Sequence, residues 1–401
     1  MADELIHIVP EWPSYSQTFV RDDIEVSRAI FRKVSVFPLP IRERSSRAVH
    51  RDSFLVFVHI PKMIFLLRKK PFRESLIESW DKKFGFRGLA LLIYKMATAG
   101  ILISKFDLGN RQKKVIIHAH FLSTGLEVAI LVKSLIPSLQ IFATGHGSDV
   151  LFSSTKKLNY FLRNTDVFLA ASMVVKNSLE SQMDELCQFK PIILLRYCRI
   201  PGAVEIKQSA IKKFDSTLTR ILTVARFHPQ KGLALAIQAA RNLRDHDVDF
   251  VWSVIGDGLL RSELQALVDE YDLNRNVKFL GVKSREFVMF ELEKSDIFVL
   301  PSIRTSTASD GLPVAILEAM SLGTYVVTTD VGGISEAIGL DRGSLIEPDP
   351  DELSAELQRI IELGKSNFQY VLNAHKWVNE NCSLNSEDPL HKIYLARKEI
   401  D

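Results

Sequence analysis

The sequence predicts an α/β protein made of two doubly wound parallel sheets, each in a domain of its own. Short β-branched segments alternate with segments of helical spacing along most of the chain, which is typical of a parallel sheet covered by helices on both faces. The alternation occurs twice, and a polar stretch at residues 199–216 separates the two sets. The length of 401 residues suits two domains. We therefore expect two facing Rossmann-like domains with a ligand cleft between them.

The second half of the chain has the more regular pattern. Its predicted strands are RILTVA, FVWSVIG, NVKFLG, DIFVLP, TYVVTT and GSLIEP, and helical segments such as GLALAIQAARNL and LRSELQALVDEY lie between most of them. The first half repeats the theme with more interruption, in ELIHIV, VSVFP, VIIHAH, QIFAT, DVFLAA and PIILL. These patterns place one domain at residues 1–205, with a terminal helix at 385–401 packing back on it, and the other domain at 206–384.

The composition is that of a folded protein from a reducing compartment. Apolar residues make up 46% of the chain and charged residues 25%, so a sizeable core is expected. The three cysteines are scattered and odd in number, which argues against a disulfide framework or a cysteine metal site. The first residues lack the pattern of a secretory signal, and the expected location is therefore cytoplasmic.

Positive charge is concentrated in residues 28–105. This segment holds 17 Lys or Arg residues against five Asp or Glu residues, in a chain whose net charge is only +3. It also holds two apolar runs, FLVFVHIPKMIFLL and GLALLIYKMATAGILISKF, which are interrupted by lysine and fall short of, or only approach, the ~20 apolar residues of a membrane span. Two interpretations stay open: a buried helix pair with a solvated basic face, or an interfacial surface that binds anionic lipid. Nucleic acid is not expected as a partner, because no stacking platform or reading helix is recognisable.

A loop that follows the first strand of the second domain carries two cations. Arg226 and Lys231 lie five residues apart between RILTVA and the next helix. Arginine offers a planar fork of donors and lysine a compact charge, and this combination suits a diphosphate at a helix N-terminus. After the following strand, Gly256 would let a ligand approach the backbone closely. A dinucleotide fingerprint would need a further glycine where Arg261 stands, so a nicotinamide cofactor is not expected.

Three histidines lie at the ends of two consecutive strands of the first domain. His146 follows QIFAT in a glycine-flanked turn, and His118 and His120 end the strand VIIHAH. A packing role and a binding role both stay open, since ligands of parallel sheets bind at the carboxyl ends of strands. A zinc site is not expected, because no cysteine or acid cluster lies nearby at ligand spacing.

Two acids lie in or beside an apolar helix in SDGLPVAILEAM, residues 309–320. Glu318 is the only ionisable residue inside this helix, and its burial is costly unless hydrogen-bond donors pair with it. A ribose diol would supply two donors, and a buried arginine or backbone N–H groups are the alternative. Asp310 stands at the mouth of the helix, just before a proline suited to a first helical turn. The sequences DHD and DPD do not end apolar strands, so neither is a candidate for holding a metal and a diphosphate.

The motifs Arg226-x4-Lys231, IGDGLLR, PSIRTSTASDGLPVAILEAM and DVGGISEAI, in this order, resemble those of the retaining glycosyltransferases of family 4, which have the GT-B fold. The resemblance covers nearly the whole second domain. In the first domain, PEWPSYSQTFV, HAHF and HGSDV resemble the branch that builds bacterial exopolysaccharide, capsule or lipopolysaccharide. The resemblance implies metal-independent, retaining transfer of a hexose from a nucleoside-diphosphate sugar to a growing, lipid-linked surface glycan, without a cofactor.

The resemblance also implies roles for individual residues. Arg226 and Lys231 would bind the donor diphosphate and stabilise the leaving nucleotide. Glu318 would bind the ribose hydroxyls, and Asp310 would face the sugar ring. His146 would lie near the anomeric centre and help to fix the donor sugar.

The remaining implied contacts are less central to the chemistry. Three positions would line the donor, through a nucleotide-lining loop or through backbone groups: Gly256, Gly311 and Leu312. Five would lie on the acceptor side: Ser16, Gln17, Thr18, His118 and His120.

The sequence departs from the family at two places. Asp310 stands where glutamate is commonest, so its reach toward a sugar is shorter, and PSYSQTF replaces the Gly-Gly loop that many members carry after the first strand. Alternative functions are a sugar-nucleotide epimerase or a phosphorylase of the same architecture, and a catalytically silent partner subunit that binds a sugar nucleotide. With the basic segment at 28–105, the transferase interpretation implies a peripheral protein on the inner face of the cell membrane.

Overall fold

The structure is a computed structural model. The chain forms two compact units, and each is described by itself below. The structure covers residues 4–10, 18–39, 67–78, 85–110, 114–185, 187, 190–195, 218–306, 309–382 and 388–399, with the backbone alone at 18–19, 85–90, 365 and 398–399. The first unit comprises Met1–Ala171, Val175–Leu195 and Ser386–Asp401, and the second comprises Ser172–Val174 and Arg196–Asn385. The predicted linker at 199–216 lies outside the described residues.

The first unit is built on a parallel sheet of six strands in the order β2-β1-β3-β4-β5-β6. The strands are β1 (Glu4–Val9), β2 (Lys33–Pro38), β3 (Val115–His120), β4 (Gln140–Gly145), β5 (Val167–Ala170) and β6 (Ile192–Leu194). Strands β1, β3 and β5 are buried at every position, as expected for strands with helices on both faces.

Helices cover this sheet in the usual alternating connection of parallel strands. They are α1 (Thr18–Ile30), α2 (Lys70–Glu78), α3 (Gly85–Phe106), α4 (Thr124–Leu135), α5 (Ser148–Leu151), α6 (Thr155–Asn164), α7 (Met173–Glu180) and, at the end of the chain, α15 (Pro389–Glu399). Helix α15 contacts α1, and its Tyr394 is fully buried. Among the described residues, no helix has both the length and the apolar character that a membrane crossing requires.

Helices α2 and α3 both pack against α4. Residues 95–100 of α3 are buried, and the Nζ atom of Lys95 lies 3.0 Å from Oε2 of Glu127 in α4. The first half is more open, with Leu91 41% and Ile93 38% exposed. The described part of the basic segment therefore combines a buried helix face with an exposed apolar edge.

The second unit is also a parallel sheet of six strands, in the order β12-β11-β10-β7-β8-β9. The strands are β7 (Thr219–Val224), β8 (Phe250–Ile255), β9 (Val277–Gly281), β10 (Ile297–Leu300), β11 (Tyr325–Thr329) and β12 (Ser344–Ile346). The helices are α8 (Leu233–Asp245), α9 (Arg261–Glu270), α10 (Arg285–Lys294), α11 (Val314–Ser321), α12 (Ile334–Ile338), α13 (Pro350–Leu363) and α14 (Phe368–Cys382), with 3-10 turns at Pro229–Lys231 and Gly364–Asn367.

Both faces of the second sheet are buried under helices. Along β10, Ile297 and Val299 belong to the hydrophobic cluster on one face, and Phe298 and Leu300 belong to the cluster on the other. This alternation follows from the two-residue period of a strand. A strand buried on both sides needs an unbroken apolar run, which is what the sequence DIFVLP supplies.

The sheet order places a topological switch point between β7 and β10. From β7 the chain continues outward to β8 and β9, whereas β10 begins the other half of the sheet, which continues to β11 and β12. Ligands of doubly wound sheets bind outside the carboxyl ends of the two strands at such a point. The loop at 225–232 and the loop beginning at Pro301 leave these two ends.

The sequence-based prediction of the fold is confirmed. All twelve predicted strands are present, all neighbouring strands pair in parallel, and the two sheets carry helices as expected for an α/β protein. The DPD sequence is a helix cap, as its position suggested: the side chain of Asp349 accepts the backbone N–H groups of Asp351 and Glu352.

Candidate functional site

Two glycines allow the loops at the switch point of the second unit to pack closely against each other. Gly232 has φ of 62°, and a Cβ atom on it would lie 1.8 Å from the carbonyl oxygen of Pro301. Gly256 has φ of 137°, and a Cβ atom there would lie 1.9 Å from the carbonyl oxygen of Ala225. Both positions therefore require glycine. The close approach of Ala225 to Gly256 is a packing reason for this glycine, and the predicted approach of a ligand to its backbone stays a prediction.

Lys231 and Asp310 meet at this point, although 79 residues separate them. The Lys231 Nζ atom donates to Asp310 Oδ1 at 2.7 Å, and the side chains are 13% and 7% exposed. Gln230 Nε2 donates to the same oxygen at 2.9 Å, and the Ser302 hydroxyl donates to Oδ2 at 2.5 Å. Burial raises the pKa of Asp310, but Lys231 and these hydrogen bonds outweigh it, so the pKa lies below its usual value. The carboxyl group is therefore ionised.

Arg226 is the second cation of this loop, and it is exposed. Across the described ranges, no carboxylate forms an ion pair with its guanidinium group. Because Asp310 already balances the charge of Lys231, Arg226 makes the loop at 225–232 positive. A positive loop beside the N-terminus of α8 favours an anionic ligand.

Glu318 lies inside α11 with only 7% of its side chain exposed. The neighbouring helix residues Leu317 and Ala319 are completely buried. The Nε atom of Arg285 donates to Glu318 Oε1 at 3.1 Å. Arg285 is the first residue of α10, whose N-cap is Ser284. An arginine partner for Glu318, the alternative that the sequence left open, is thus present, although the Arg285 side chain is 19% exposed and not buried.

The chemistry of Glu318 also suits a hydroxyl ligand. A carboxylate has two oxygens and about four acceptor positions, and Arg285 contacts one of the oxygens, Oε1. An arginine partner also favours the ionised form, which a hydrogen-bond acceptor for a diol requires. Arg285 was missed from the sequence, although a helix-starting arginine directly after a strand of the second sheet was a usable signal.

The residues between Asp310 and α11 form a hydrogen bond and apolar contacts within the second unit. The carbonyl oxygen of Gly311 accepts the N–H of Gly333 at 2.7 Å. Leu312 is 8% exposed, and its side chain belongs to a hydrophobic cluster of the second unit. Asp310 itself was predicted to face a sugar ring, whereas its described partners are Lys231, Gln230 and Ser302. In this structure Asp310 positions the lysine.

In the first unit, Asp149 fixes the turn that carries His146. Its carboxylate accepts the backbone N–H groups of His146 at 3.0 Å, Gly147 at 2.8 Å and Leu122 at 2.9 Å. These bonds connect the loop after β4 to the loop after β3. Burial raises the pKa of Asp149 in spite of these bonds. The sequence HGSDV contained this acid, but its role depends on a donor 27 residues away.

His146 is partly exposed, and its ring lies 4.3 Å from that of Phe121 and 6.3 Å from that of His120. Burial by the surrounding protein and then the nearby His120 lower its pKa well below the usual value. A histidine with a lowered pKa is neutral at physiological pH. It then carries one N–H donor and one acceptor nitrogen.

His118 and His120 are core residues of the first unit, and their place on the acceptor side stays a prediction. They are 0% and 1% exposed. His118 is hydrogen-bonded to the Tyr394 hydroxyl at 2.6 Å and the Thr144 hydroxyl at 2.7 Å. His120 Nε2 lies 3.0 Å from Nδ1 of His7, a β1 residue that the sequence analysis did not single out. His118 and His120 are two residues apart on β3, so their side chains point to the same face of the sheet. Helices cover that face.

Among the described residues, His7, His118 and His120 form a group whose ring nitrogens could hold a metal ion. One nitrogen each of His7, His118 and His120 can be chosen so that all lie within 4.8 Å of one another. The hydrogen bonds above already engage each ring. Of the other predicted acceptor-side residues, Ser16 and Gln17 lie outside the described residues, and Thr18 is described only as the first residue of α1.

Known proteins with similar sequences are named as glycosyltransferases. Residues 204–377 match the family Glycosyl transferases group 1. An Escherichia coli K12 protein named as a colanic acid biosynthesis glycosyltransferase, WcaL, is 30% identical over 243 residues, which make up 58% of this chain and 57% of that protein. The Escherichia coli UDP-Gal:alpha-D-GlcNAc-diphosphoundecaprenol alpha-1,3-galactosyltransferase is 28% identical over 315 residues, or 73% of this chain and 78% of that protein.

Among solved structures, Anabaena HepE in complex with UDP and glucose has a TM-score of 0.65 to this chain. Its sequence is 16% identical, and the match covers 98% of both chains. The chain spans little more than half the length of WcaL, and 35% and 38% of two further curated relatives.

Proposed function

We propose that the protein is a glycosyltransferase of bacterial polysaccharide biosynthesis, because residues 204–377 match the family Glycosyl transferases group 1 and the chain has the GT-B fold. In its finer form, the proposal is a retaining hexosyltransferase of family 4. It transfers a sugar from a nucleoside-diphosphate sugar to a growing, lipid-linked glycan. The observation that carries the proposal is the meeting of Lys231 and Asp310 at the switch point of the second sheet.

The charges at this switch point suit a diphosphate leaving group. When the bond between the sugar and the diphosphate breaks, negative charge grows on the nucleoside diphosphate. Asp310 holds Lys231 in one position before any ligand arrives, and Arg226 adds a cation that is not balanced by a described acid. Fixed positive groups of this kind stabilise developing charge without reorganisation during the reaction. We therefore assign the diphosphate to Arg226 and Lys231, with no cofactor or metal ion required.

Glu318 is assigned to the ribose of the donor. Its side chain is mostly buried and contacted by Arg285, and a carboxylate can accept the two hydroxyl hydrogens of a ribose diol. The backbone at Gly311 and Leu312 stays a proposed contact of the donor sugar. His146, in its neutral form, is assigned to a sugar hydroxyl.

The proposed acceptor rests only on what two relatives are named for. One relative is named for a diphosphoundecaprenol-linked acceptor and another for colanic acid biosynthesis. We propose a lipid-linked glycan of the same general kind for this chain.

A donor panel tests the proposed function. The purified protein is incubated with nucleoside-diphosphate hexoses and a bacterial lipid extract in metal-depleted buffer, and release of nucleoside diphosphate is measured together with the mass of the lipid product. We expect one donor to give both signals, with less than about a twofold change on adding Mg²⁺ or Mn²⁺. Release that depends strictly on added metal would contradict the metal-free assignment. A donor converted without any acceptor would indicate an epimerase instead.

We further propose that the first unit docks on an anionic membrane surface at the cytoplasmic face. Arg68, Lys69 and Lys70 are exposed at the start of α2. On the same helix Ile77 is 64% exposed, and helix α3, which like α2 packs against α4, exposes Leu91. Basic side chains beside exposed apolar ones are the combination that binds the interface of anionic bilayers.

Reversing the charge of Arg68, Lys69 and Lys70 to glutamate is expected to weaken binding to vesicles containing anionic lipid by at least about tenfold. Each basic residue near such a surface contributes about 1 kcal/mol, and reversal adds repulsion. The measurement is co-sedimentation with phosphatidylglycerol-containing vesicles. The control reverses three exposed basic residues of the second unit, Arg275, Lys278 and Lys376, which changes the net charge equally. Equal loss in both triple variants would show a general charge effect and remove the docking surface.

A further inference from the structure

An arginine stacks on two aromatic rings beside the loop at 225–232 of the second unit. Arg261 is the first residue of α9, and its guanidinium carbon lies 4.8 Å from the centre of the Phe279 ring and 5.7 Å from that of Phe227. The two rings lie 5.4 Å apart at an interplanar angle of 56°. Phe279 belongs to β9 and Phe227 to the loop after β7, so this stack of three side chains connects segments from β7, β8 and β9.

The stack accounts for an arginine at a place that is otherwise unfavourable for a cation. A helix N-terminus carries the positive end of the helix dipole, and a basic residue there lowers the stability of the helix. Contact between a guanidinium group and the faces of aromatic rings is favourable, more so where water is excluded. Phe227 is 1% exposed, and Arg261 is partly buried. Arg261 stands where a dinucleotide fingerprint would have glycine, and the stack gives this departure a physical reason.

The backbone of Phe227 is fixed by the same segment of the chain. Its N–H donates to the carbonyl oxygen of Asp257 at 2.9 Å, and its own carbonyl oxygen accepts the N–H of Leu260 at 3.3 Å. Gly258 allows this approach, because a Cβ atom on it would lie 2.6 Å from the carbonyl oxygen of Phe227. Both hydrogen bonds and the stack are therefore made by residues 257–261.

Arg226 lies between two residues that are held by hydrogen bonds to the loop after β8. Ala225 donates its N–H to the carbonyl oxygen of Ile255 at 3.0 Å, and Phe227 donates to Asp257. The side chain of Phe227 is buried, whereas that of Arg226 is exposed. The backbone of Arg226 is thus held on both sides, while its guanidinium group is accessible to a ligand.

We propose that Arg261 is a positioning residue, which acts through Phe227 and holds Arg226 where it can bind a diphosphate. This role rests on the proposed function, in which Arg226 binds the diphosphate of the donor. Arg261 does not need to touch the ligand. A cation whose backbone is fixed before the ligand arrives loses less conformational freedom on binding, so the stack raises the affinity for the diphosphate.

Amide hydrogen exchange of the whole chain, followed by NMR, tests the stack without any ligand. In Arg261→Met, which keeps a long side chain but removes the charge, the N–H of Phe227 should exchange at least about fivefold faster than in the unaltered protein. Arg261→Lys should restore most of the protection, because an ammonium group also binds ring faces. The control Arg241→Met removes a similar contact, 5.1 Å from the ring centre of Tyr271, and should leave this N–H unchanged.

Calorimetry with UDP, GDP and ADP as probes separates positioning from direct contact. For the probe that the unaltered protein binds best, we expect Arg226→Ala to weaken binding at least about tenfold and Arg261→Met about fivefold. The double variant should bind no more weakly than Arg226→Ala, since Arg261 acts through Arg226. Losses that multiply in the double variant would show that Arg261 acts independently of Arg226, and would overturn the proposal.

The two measurements also separate this proposal from the proposed function. Unchanged exchange of the Phe227 N–H in Arg261→Met, in a protein that binds one of the three nucleotides, would reject the role of Arg261 and leave the proposed function in place. If the unaltered protein bound none of the nucleotides, the proposed function would be rejected. Faster exchange in Arg261→Met would then show a stack that stabilises the loop and has no part in binding a diphosphate.

Discussion

Replacing Glu318 by glutamine is expected to lower kcat/KM for the sugar nucleotide by about 10²- to 10³-fold. In the proposed function, the carboxylate accepts hydrogen bonds from two ribose hydroxyls, and each hydrogen bond to a charged group contributes about 1.5–3 kcal/mol. A glutamine side chain keeps the size but offers one acceptor oxygen and removes the charge that pairs with Arg285. Steady-state kinetics with the donor selected by the panel measures this loss.

A nucleotide without ribose hydroxyls separates ribose binding from a structural role of the Glu318–Arg285 pair. The unaltered protein should bind the 2′,3′-dideoxy nucleoside diphosphate far more weakly than the natural one, and Glu318→Gln should bind both equally weakly in calorimetry. The control is Glu356→Gln, which removes the acid of another pair, 2.6 Å from Arg359 on α13. If Glu318→Gln still distinguished the two nucleotides as well as the unaltered protein does, Glu318 would serve only as the partner of Arg285.

Replacing Lys231 by alanine is expected to lower kcat at least about 10²- to 10³-fold, because a cation that stabilises the leaving diphosphate is lost. It should also lower the free energy of unfolding by about 3 kcal/mol, since Asp310 stays buried without its ion partner. Gln230 and Ser302 still donate to Asp310, which keeps this cost at the lower end of the range for buried pairs. Activity assays and denaturant unfolding measure the two effects.

The double variant Lys231→Ala with Asp310→Asn distinguishes the two effects. Neutralising Asp310 removes the unpaired buried charge, so most of the stability should return while the activity stays low. The surface variant Lys278→Ala controls for loss of a positive charge from the second unit. Recovery of both stability and activity in the double variant would show that Lys231 acts only as a structural partner of Asp310.

Local patterns were sufficient for the fold. Most of the twelve strands are apolar runs that can be buried on both faces, and the helices between them favour parallel pairing, so element types follow from neighbouring residues. The same patterns located the loops of the candidate site, because the carboxyl ends of parallel strands lie at one edge of a sheet. They also explain Asp349, whose partners lie within three residues.

Local patterns were a poor guide to what fills the space around a side chain. Gly256 was assigned to ligand approach, yet its missing side chain makes room for the carbonyl oxygen of Ala225. The strand-end position of His118 and His120 left a packing role and a binding role open, and in the folded unit both side chains are buried. A sequence shows that a position needs a small or polar residue, and the neighbour that imposes this need comes from another part of the chain.

The sequence by itself determined the α/β class, the strands, the loops that carry Arg226, Lys231 and Asp310, and the helix that carries Glu318. Tertiary structure alone decided their partners: Lys231 with Asp310 across 79 residues, Arg285 with Glu318 across 33, and His7 with His120 across 113. The physical reason is that apolar periodicity is set by residues one to four positions apart, whereas an ion pair depends on strand order. Strand order brings together chain segments whose local sequences carry no information about each other.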